Sequence, residues 1–373
     1  MKILNINSYY FSSSVHRQLQ LALRSDKEID AISYVPLARG YVARPECQYK
    51  PEQSVVVKEC YNERDRYIFH IKHWKIYKDV ILTLNVPSYD LIHAHSLFSN
   101  GYIAMKLKEK FGIPFVVAVR DTDVNTFFRR MPHLRRMGRA ILQAASKVVF
   151  LSEPYRDHLV ENYVEEQYKE VISSKSVVIP SGIADFWFSN KGEAKTLESK
   201  KGIKVLLVGR ISKRKNIPKI LEALNILKKR GYEIRFTAVG QIDDKDIHQA
   251  ILNEDFAEYV APVQKEQLLN IYRQHDIFVM PSITETFGLV YPEAMSQGLP
   301  VIYTRGQGFD GQFPEGAVGY SVNCFDYNQI ANKILDIVKN YDALSTRCLF
   351  LCKKFDWDII AKTYKAVYNA LVS

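Results

Sequence analysis

The feature that most constrains this chain is an alternation of apolar segments and amphipathic helical segments that runs through it twice. In the first half, Lys2–Ile6 and Ile29–Val35 predict strands on either side of a helix at Val15–Arg24. The same order begins again with a strand at Ile203–Val208 and a helix at Ile217–Arg230. Strands joined by helices pair in parallel, so each half predicts its own doubly wound α/β sheet. A crevice between the halves is the expected place for a ligand.

The length and composition of the chain fit two folded domains. A chain of 373 residues is too long for one ordinary core, and 47% hydrophobic with 25% charged residues is typical of a globular protein. We predict domains at 1–185 and 200–355, separated by the polar run Ser189–Lys201. Pro36–Tyr61, with its prolines, tyrosines and charges, predicts irregular surface. A C-terminal helix is predicted at Asp356–Ser373.

The sequence also argues against several classes of protein. No apolar run approaches the roughly 20 residues that cross a bilayer, and the start, MKILNINSYY, lacks a secretion signal. We therefore expect a cytoplasmic protein. Five cysteines fit neither a disulfide framework nor a zinc site and are expected to be reduced thiols. They are Cys47, Cys60, Cys324, Cys348 and Cys352.

The net charge of +10 favours an acidic partner. Nucleotide diphosphates, anionic membrane surfaces and nucleic acids all qualify, but the sequence contains no recognisable nucleic-acid-binding module. The loop Ser8–Ser14 lies where doubly wound folds bind phosphate, yet it contains no glycine. This excludes a GxGxxG dinucleotide fingerprint there and weakens any interpretation as an oxidoreductase.

The stretch Met280–Pro300 predicts a strand end, a loop and a short helix. Pro281 ends the strand, and a helix begins between residues 287 and 291. Glu285 then lies in the loop and Glu293 in or near the first helical turn. The free amides at a helix start bind anions, and two carboxylates can bind hydroxyl groups. A ligand with both phosphate and hydroxyl groups, such as a nucleotide sugar, fits this stretch.

His93 and His95 lie two positions apart on a predicted strand, Asp90–His95, so they share one face of the sheet. Near the carboxyl end of that strand they would point toward the ligand crevice of an open α/β sheet. The alternative is a pair of hydrogen-bonded structural imidazoles, and the two residues taken alone favour this structural interpretation.

The segment Arg120–Arg139, RDTDVNTFFRRMPHLRRMGR, is the most basic part of the first half. It begins with Arg120 and Asp121, and a helix opened by Pro132 would separate its arginines from its apolar residues. Such a helix either docks on anionic lipid headgroups or packs on the core with a solvated arginine face. Phe127 and Phe128 next to arginines favour a membrane surface or a lipid-linked acceptor. The arginines of that helix are Arg135, Arg136 and Arg139.

Four motifs together resemble one known family. They are D-L-I-H-A-H at Asp90–His95, V-V-I-P-S-G-I at Val177–Ile183, V-G-R-(x)4-K at Val208–Lys215, and E-(x)7-E at Glu285–Glu293 followed by A-M-x-x-G-x-P-V. This pattern is similar to that of retaining glycosyltransferases of the GT-B fold, the glycosyl transferases group 1 family, of the bacterial surface-polysaccharide type. The resemblance implies two Rossmann-like domains facing across a cleft, with the C-terminal helix packing back on the first.

The resemblance also implies roles for the donor side of the site. Arg210 and Lys215 would bind the donor diphosphate, where two cations offset charge that develops on the leaving group. Glu293 would bind the nucleotide ribose and Glu285 the hydroxyls of the donor sugar. The amides of Phe287, Gly288, Leu289 and Val290 would lie near the sugar and phosphate, and the backbone around Val260 and Val263 against the base.

On the acceptor side, the resemblance implies that His95 lines the reaction centre, with His93 as the alternative. The family is generally metal-independent, so no metal is expected at Asp243, Asp244 and Asp246. No cofactor is expected beyond a UDP- or GDP-type sugar as co-substrate. Two loops depart from the family pattern. The family often has a glycine pair where this chain has Ser8–Ser14, and Gly-Gly-x-x-Glu where it has Arg305–Gly311.

The sequence therefore predicts a retaining hexosyltransferase that is cytoplasmic or peripheral at the inner face of a membrane. It would transfer a sugar from a nucleotide sugar to a glycan or lipid-linked acceptor in cell-surface polysaccharide synthesis. A nucleotide-sugar epimerase on the same fold is one alternative. A non-catalytic basic adaptor that associates with membranes or nucleic acid is another, although Arg210, Lys215, Glu285 and Glu293 argue against it.

Overall fold

The computed structural model describes residues 1–42, 52–197 and 202–372. These residues form two compact units. Unit 1 contains Met1–Leu151, Tyr155–Gly182 and Trp357–Ser373, and unit 2 contains Ser152–Pro154 and Ile183–Asp356. Cys47 and the ends of two predicted segments, Lys201 and Ser373, lie outside the described residues.

Unit 1 contains a seven-stranded parallel sheet within the described residues, and its strands are short apolar segments. Their order is β3-β2-β1-β4-β5-β6-β7. The bounds are β1 Lys2–Ile6, β2 Asp30–Ala38, β3 Val55–Tyr61, β4 Leu91–Ala94, β5 Phe115–Ala118, β6 Lys147–Phe150 and β7 Ser176–Val178. The central strands β4 and β5 are buried throughout, as expected for parallel strands covered on both faces.

Helices cover both faces of this sheet. The first six are α1 Ser14–Arg24, α2 Phe69–Thr83, α3 Ser99–Phe111, α4 Arg135–Ala144, α5 Glu153–Tyr163 and α6 Glu166–Ser174, and the chain ends in α14 Trp357–Val372. The core on one face includes Leu19 of α1 together with Trp357 and Tyr364 of α14. The core on the other face includes Ile76 of α2 and Ile141 of α4.

Unit 2 repeats the architecture with a six-stranded parallel sheet. The strand order is β10-β9-β8-β11-β12-β13. The strands are β8 Ile203–Val208, β9 Ile234–Val239, β10 Ala257–Val260, β11 Ile277–Val279, β12 Val301–Thr304 and β13 Gly319–Val322. The helices are α7 Asp185–Ser189, α8 Ile217–Lys229, α9 Lys245–Leu252, α10 Lys265–Gln274, α11 Val290–Ser296, α12 Tyr327–Lys339 and α13 Tyr341–Leu351.

Two predicted segments are wrong. Pro36–Tyr61 is not irregular throughout, because it contains the end of β2 and all of β3, which pair in parallel from Ser33↔Val55 onward. The described part of Ser189–Lys201 is not a free linker. Its Lys195 ammonium donates to the carbonyl oxygens of Tyr272, Arg273 and His275 at 3.2, 3.0 and 2.6 Å, so the run packs on unit 2. These three bonds hold the Lys195 side chain on the end of α10.

Candidate active site

The candidate site of unit 2 lies where the order of its strands reverses. β8 is the first strand of the unit, β9 lies on one side of it and β11 on the other. In open α/β sheets, ligands bind beyond the carboxyl ends of the strands at such a point. Gly209 and Arg210 follow β8, and Met280 and Pro281 follow β11, so the motif residues come to this point from opposite sides.

Backbone alone forms part of the floor of this site. The Gly209 amide donates to the carbonyl of Val239 at 2.9 Å. A Cβ at Gly240 would lie 2.0 Å from the carbonyl oxygen of Gly209. Gly240 also has a φ of +147°, which residues with side chains rarely adopt. Gly240 is therefore required by the close approach of two loops at the ends of β8 and β9.

Lys215 and Glu285 form a buried ion pair at the switch point. The Lys215 Nζ is 2.5 Å from Glu285 Oε2 and 3.1 Å from the sulfur of Met280. Burial lowers the pKa of Lys215, and the charge of Glu285 opposes that shift. The turn that carries Lys215 ends at Asn216, whose φ is +58° and whose side-chain amide donates to the carbonyls of Pro281 and Cys324 at 3.2 and 2.5 Å. These bonds fix the lysine against the Glu285 loop.

Two arginines extend this positive cluster toward solvent. Arg210 is 60% exposed, and its guanidinium pairs with Asp243 at 3.1 Å. Arg214, which the family motif does not include, lies 3.6 Å from Glu285 Oε1 and donates to the carbonyl of Thr284 at 3.0 Å. The only sequence feature that could have pointed to Arg214 is its position in the run of three basic residues Lys213–Lys215. An anion that reached this point would meet Arg210 and Arg214 first.

The acids near Arg210 have structural partners. Asp244 caps α9, since its carboxylate accepts from the amides of Asp246 and Ile247 at 3.1 and 3.2 Å. Within residues 1–42, 52–197 and 202–372, no group of three or more His, Cys, Asp or Glu side chains is placed to hold a metal ion.

The loop Arg305–Gly311 packs directly on the Glu285 loop. The Glu285 amide donates to Gln307 Oε1 at 2.9 Å, and the Gly308 amide donates to the Glu285 carbonyl at 3.0 Å. A Cβ at Gly308 would lie 1.8 Å from the carbonyl oxygen of Thr286. Gln307 therefore supports the backbone of Glu285, a contact that the sequence did not predict.

Glu293 lies in α11, which begins at Val290 as the sequence predicted. Its Oε2 is 3.5 Å from the hydroxyl of Tyr272. Burial raises the pKa of Glu293 to about 7, against smaller opposite effects of Lys265, Trp187 and Tyr272. At neutral pH this carboxyl can therefore hold or release a proton, depending on what binds beside it.

The remaining donor-side residues contribute backbone more than side chains. The Phe287 ring is buried against Phe355, with ring centroids 5.7 Å apart, so only its amide could face a ligand. Gly288 has a φ of +78°, and Leu289 precedes α11. Val260 ends β10 and Val263 follows it, and both are partly exposed.

In unit 1, His95 follows β4 at the corresponding switch point, where β1 and β4 are neighbours. Its ring is fully buried, and Nε2 is 3.1 Å from Asn5 Oδ1. His93 stacks on it at 4.2 Å between ring centroids and is bonded through Nδ1 to the Tyr368 hydroxyl of α14 at 2.7 Å. His93 thus matches the structural interpretation, and a ligand could reach His95 only after a local movement.

Burial keeps these imidazoles neutral. It lowers the pKa of His93 to about 3 and the pKa of His95 well below its ordinary value. Arg120 lies beside them and donates from Nε to the His95 carbonyl at 3.1 Å. Its positive charge also lowers the pKa of both rings. A neutral His95 could accept a hydrogen bond from a hydroxyl group.

Asp121 and Asp123 hold the start of the arginine-rich segment. Asp121 accepts from Asn125 and from the Tyr155 hydroxyl at 2.7 and 2.8 Å. Asp123, which no sequence motif marks, accepts from the amides of Leu97, Phe98 and Arg120 at 3.0, 3.0 and 2.8 Å. Burial raises its pKa to about 6.

The arginine-rich segment packs Phe128 fully and Phe127 partly on the core, and its contact with a membrane stays a prediction. Phe128 is fully buried, and the ring of Phe127 stacks on Phe98 at 4.6 Å because both complete the core behind α3. Arg135 donates from Nε to the Phe128 carbonyl at 2.6 Å, and Arg139 pairs with Glu165 at 3.2 Å. Of the three helix arginines, Arg136 is the one left exposed.

The described residues contain no helix that is both long and apolar enough to span a bilayer.

Two parallel doubly wound units, each with its candidate residues at a switch point, define a GT-B type of fold. A solved structure of Anabaena HepE in complex with UDP-glucose has the same fold, with a TM-score of 0.69 over 99% of this chain and 100% of that chain, at 16% identity. Family models match consecutive regions. Residues 17–185 match Glycosyltransferase Family 4, and residues 189–348 match Glycosyl transferases group 1. The chain belongs to the group 1 glycosyltransferases of the GT-B fold.

Two relatives indicate the range of this family. The D-inositol 3-phosphate glycosyltransferase of Paenarthrobacter aurescens (strain TC1) is 28% identical over 279 residues, which is 69% of this chain and 66% of the relative. The alpha-monoglucosyldiacylglycerol synthase of Acholeplasma laidlawii is 26% identical over 348 residues, 83% of this chain and 86% of the relative. The first match thus spans slightly less than two thirds of that relative's length.

Proposed function

We propose that this glycosyltransferase takes its sugar from a nucleotide diphosphate donor of the UDP or GDP type. The observation that carries the proposal is the pairing of Arg214 and Lys215 with Glu285 at the switch point of unit 2, with the exposed Arg210 directly after β8. Fixed cations there would bind the two phosphates and offset the charge that develops as the bond to the sugar breaks. The UDP-glucose complex of the structurally similar HepE supports this donor class.

Each remaining donor-side residue has a role in this proposal. Glu293, in α11 after the loop, would bind the ribose hydroxyls, and Glu285 the hydroxyls of the donor sugar. The amides of residues 287–290 would face the sugar and phosphate. Val260 and Val263 would lie along the base. No metal or further cofactor takes part in this proposal, because the positive charge comes from side chains.

We further propose that transfer retains the anomeric configuration of a hexose. Glu285 is a poor nucleophile because its carboxylate is already neutralised by the Lys215 ammonium at 2.5 Å. The leaving phosphate oxygen would instead accept the proton of the acceptor hydroxyl on the same face of the sugar. His95 would contact the acceptor after the local movement that its burial requires.

The acceptor is proposed to be a glycan or a lipid-linked molecule used in building cell-surface polysaccharide, with the enzyme working at the cytoplasmic face of a membrane. The names of the two relatives, an inositol phosphate and a diacylglycerol glycosyltransferase, are compatible with polar and lipid acceptors respectively. Arg120, Asp121 and Arg136 are the acceptor-side candidates. Arg135 and Arg139 would help only by holding the segment in place, since both already have protein partners.

Product analysis tests the proposal and separates it from its alternatives. The protein is incubated with a panel of UDP- and GDP-sugars, with and without glycan and lipid acceptors, and the products are identified by NMR. We expect a glycoside with the donor's anomeric configuration, and slow hydrolysis without acceptor. Epimerised nucleotide sugar from donor alone would establish the epimerase instead. If the folded protein neither binds nor turns over any nucleotide sugar, the proposal is wrong and the adaptor is favoured.

A further inference from the structure

The helix α2 of unit 1 exposes apolar side chains that its own fold does not bury. Three large side chains in and next to it are among the most exposed of their kind, Tyr67 at 91%, Trp74 at 51% and Leu82 at 85%. Within the helix, Trp74 and Leu82 recur at helical spacing with Ile71, which is also exposed, and lie along one side, while Tyr67 belongs to the 3-10 turn that precedes the helix. The opposite side packs on the core of unit 1 through His73, Ile76 and Val80. We call Tyr67, Ile71, Trp74 and Leu82 the α2 stripe.

Basic side chains lie within and beside the α2 stripe. The Lys78 ammonium lies over the ring of Trp74, 3.9 Å from its centroid. A shallow groove of about 300 Å³ next to Trp74 and Leu82 is lined by the cations Arg39, Lys75 and Lys78.

The acids of this region are engaged in the fold. Asp79 also lines the groove, but its Oδ2 accepts from the hydroxyls of Tyr34 and Thr83 at 2.6 and 3.2 Å. Asp65 pairs with Lys75 at 2.7 Å, and Glu63 pairs with Arg66 at 3.1 Å. Lys75 is thus offset by Asp65, and neutral hydroxyls leave the charge of Asp79 in place, so Arg39 and Lys78 give the groove a small excess of positive charge beside an apolar surface.

A second basic region adjoins the start of α2. The ring of Phe69 packs edge-on against Phe127, with ring centroids 6.1 Å apart. Arg129 and Arg130 follow shortly after Phe127, and both are exposed. The arginine-rich segment therefore packs against the core-facing side of the start of α2, the side opposite the α2 stripe.

We propose that the α2 stripe docks this protein on an anionic phospholipid bilayer. Aromatic and aliphatic side chains would enter the boundary between headgroups and acyl chains, while Lys78 and Arg39 contact lipid phosphates. Charge complementarity favours a lipid surface, because an apolar contact between two copies of this chain would bring like charges together. This inference rests on the proposed function and extends it, since it gives the surface through which a lipid-linked acceptor becomes accessible.

Trp74 supplies a direct optical test. The chain has three tryptophans, and the other two, Trp187 and Trp357, are buried in the cores of their units. The full-length protein is titrated with vesicles of phosphatidylcholine alone or with roughly 30–40% phosphatidylglycerol, an anionic content that gives a strong surface potential. With anionic vesicles we expect a blue shift of the emission and quenching by brominated acyl chains. Zwitterionic vesicles should produce neither.

Matched variants locate the surface. Lys78→Gln should lower partitioning onto anionic vesicles roughly fivefold, and Leu82→Gln about tenfold. Val171→Gln is the control, because Val171 is another exposed aliphatic residue, on α6 of the same unit, outside the stripe. It should bind like the wild type. Thermal unfolding checks that all three variants are folded.

The outcomes also separate this inference from the proposed function. A protein that binds a nucleotide sugar in solution but shows no emission shift or co-sedimentation with anionic vesicles overturns the inference alone. A protein that binds vesicles but no nucleotide overturns the proposed function alone. Equal vesicle binding by Leu82→Gln and Val171→Gln would also overturn the inference. So would a dimer in solution that Leu82→Gln dissociates, because the stripe would then bind a second copy of this chain.

Discussion

At the scale of single residues, Gly308 is the most tightly constrained position of the candidate site. A Cβ there would come within 1.8 Å of the Thr286 carbonyl oxygen. The same short segment holds Glu285 from both sides, because Gln307 accepts from its amide and Gly308 donates to its carbonyl. Any side chain at Gly308 must therefore move the loop that positions Glu285.

Gly308→Ala is expected to weaken nucleotide-sugar binding and to lower the free energy of unfolding by about 1–3 kcal/mol, as overpacking does. Gly306→Ala is the matched control in the same loop. Gly306 has a φ of +77°, but no atom lies within 4 Å of the place that a Cβ would take. This variant should therefore lose only about 1 kcal/mol through backbone strain. Urea unfolding and calorimetric titration measure both quantities. Equal donor affinities for the two variants would mean that this loop does not position Glu285.

Glu293 predicts a pH dependence of stability. Its folded pKa of about 7 lies above the ordinary value of 4.5. Between these values the folded chain keeps a proton that the unfolded chain has lost. The stability that Glu293 contributes is therefore full below about pH 4.5 and is lost as the pH rises toward 7.

Glu293→Gln removes this titration, so the variant should gain stability relative to the wild type between about pH 5 and pH 8, by up to about 3 kcal/mol. Urea unfolding at several pH values measures the difference. Glu266→Gln, an exposed acid on α10, is the control and should follow the wild type. If the free energies of unfolding of the wild type and Glu293→Gln change in parallel across this pH range, the Glu293 carboxyl is ionised over the whole of it.

The residue types of the site were predictable, but several of their contacts were not. The spacing of Arg210, Lys215, Glu285 and Glu293 identified them because the family motif fixes both identity and separation. Arg214 and Gln307 were missed because their importance depends on which loop packs against Glu285. The burial of His95 was not predicted either, since two of its contacts, Asn5 and His16, are far away in the chain.

At the scale of elements, the C-terminal helix α14 is the clearest example of sequence pattern matching structure. It packs on α1 and the sheet of unit 1 through one side, where Ile360 is buried, while its neighbour Ile359 is exposed. The alternation of buried and exposed positions along such a helix follows from its 3.6-residue period.

Ile360→Ala should therefore lower the free energy of unfolding by about 2–5 kcal/mol, since it leaves a cavity. Ile359→Ala should change it by no more than about 0.5 kcal/mol, as expected for a surface position. Chemical unfolding of both variants under identical conditions provides the comparison. Similar losses would mean that α14 packs with a different face.

Helices with one clear apolar side, such as α1, α8 and α14, were predicted from the sequence within one or two residues. The strand β3 was missed, because the apolar run of this edge strand is only Val55–Val57 and the exposed Lys58 and Glu59 follow it. The aromatic pair Phe127 and Phe128 favoured a membrane surface or a lipid-linked acceptor, whereas both rings pack on Phe98. The local sequence pattern predicts where a helix or strand lies, but it does not show which of its apolar side chains the rest of the fold buries.

At the scale of the whole molecule, the proposed function rests on two doubly wound units and on the cations at the switch point of unit 2. The repeated strand–helix alternation predicted both sheets, and the strand orders confirm the doubly wound class. The extent of the family match, residues 17–185 and 189–348, agrees with the motifs found in both halves. The donor, the acceptor and the linkage depend on a few side chains around the sugar, whose positions a motif does not specify.

The proposal that Arg210 and Lys215 bind the donor diphosphate is tested most directly by calorimetric titration with nucleotide diphosphates and nucleotide sugars. We predict binding of a UDP or GDP compound that weakens roughly tenfold or more in Arg210→Ala and in Lys215→Ala, because each loses a charge-assisted contact to phosphate. A Lys215→Ala, Glu285→Gln double variant shows whether an orphaned buried acid adds to the loss. Lys213→Ala, which removes an exposed cation from the same turn, should bind normally. If no nucleotide binds the folded wild type, or if Lys213→Ala loses as much affinity as Lys215→Ala, the assignment of this cluster to the donor diphosphate is wrong.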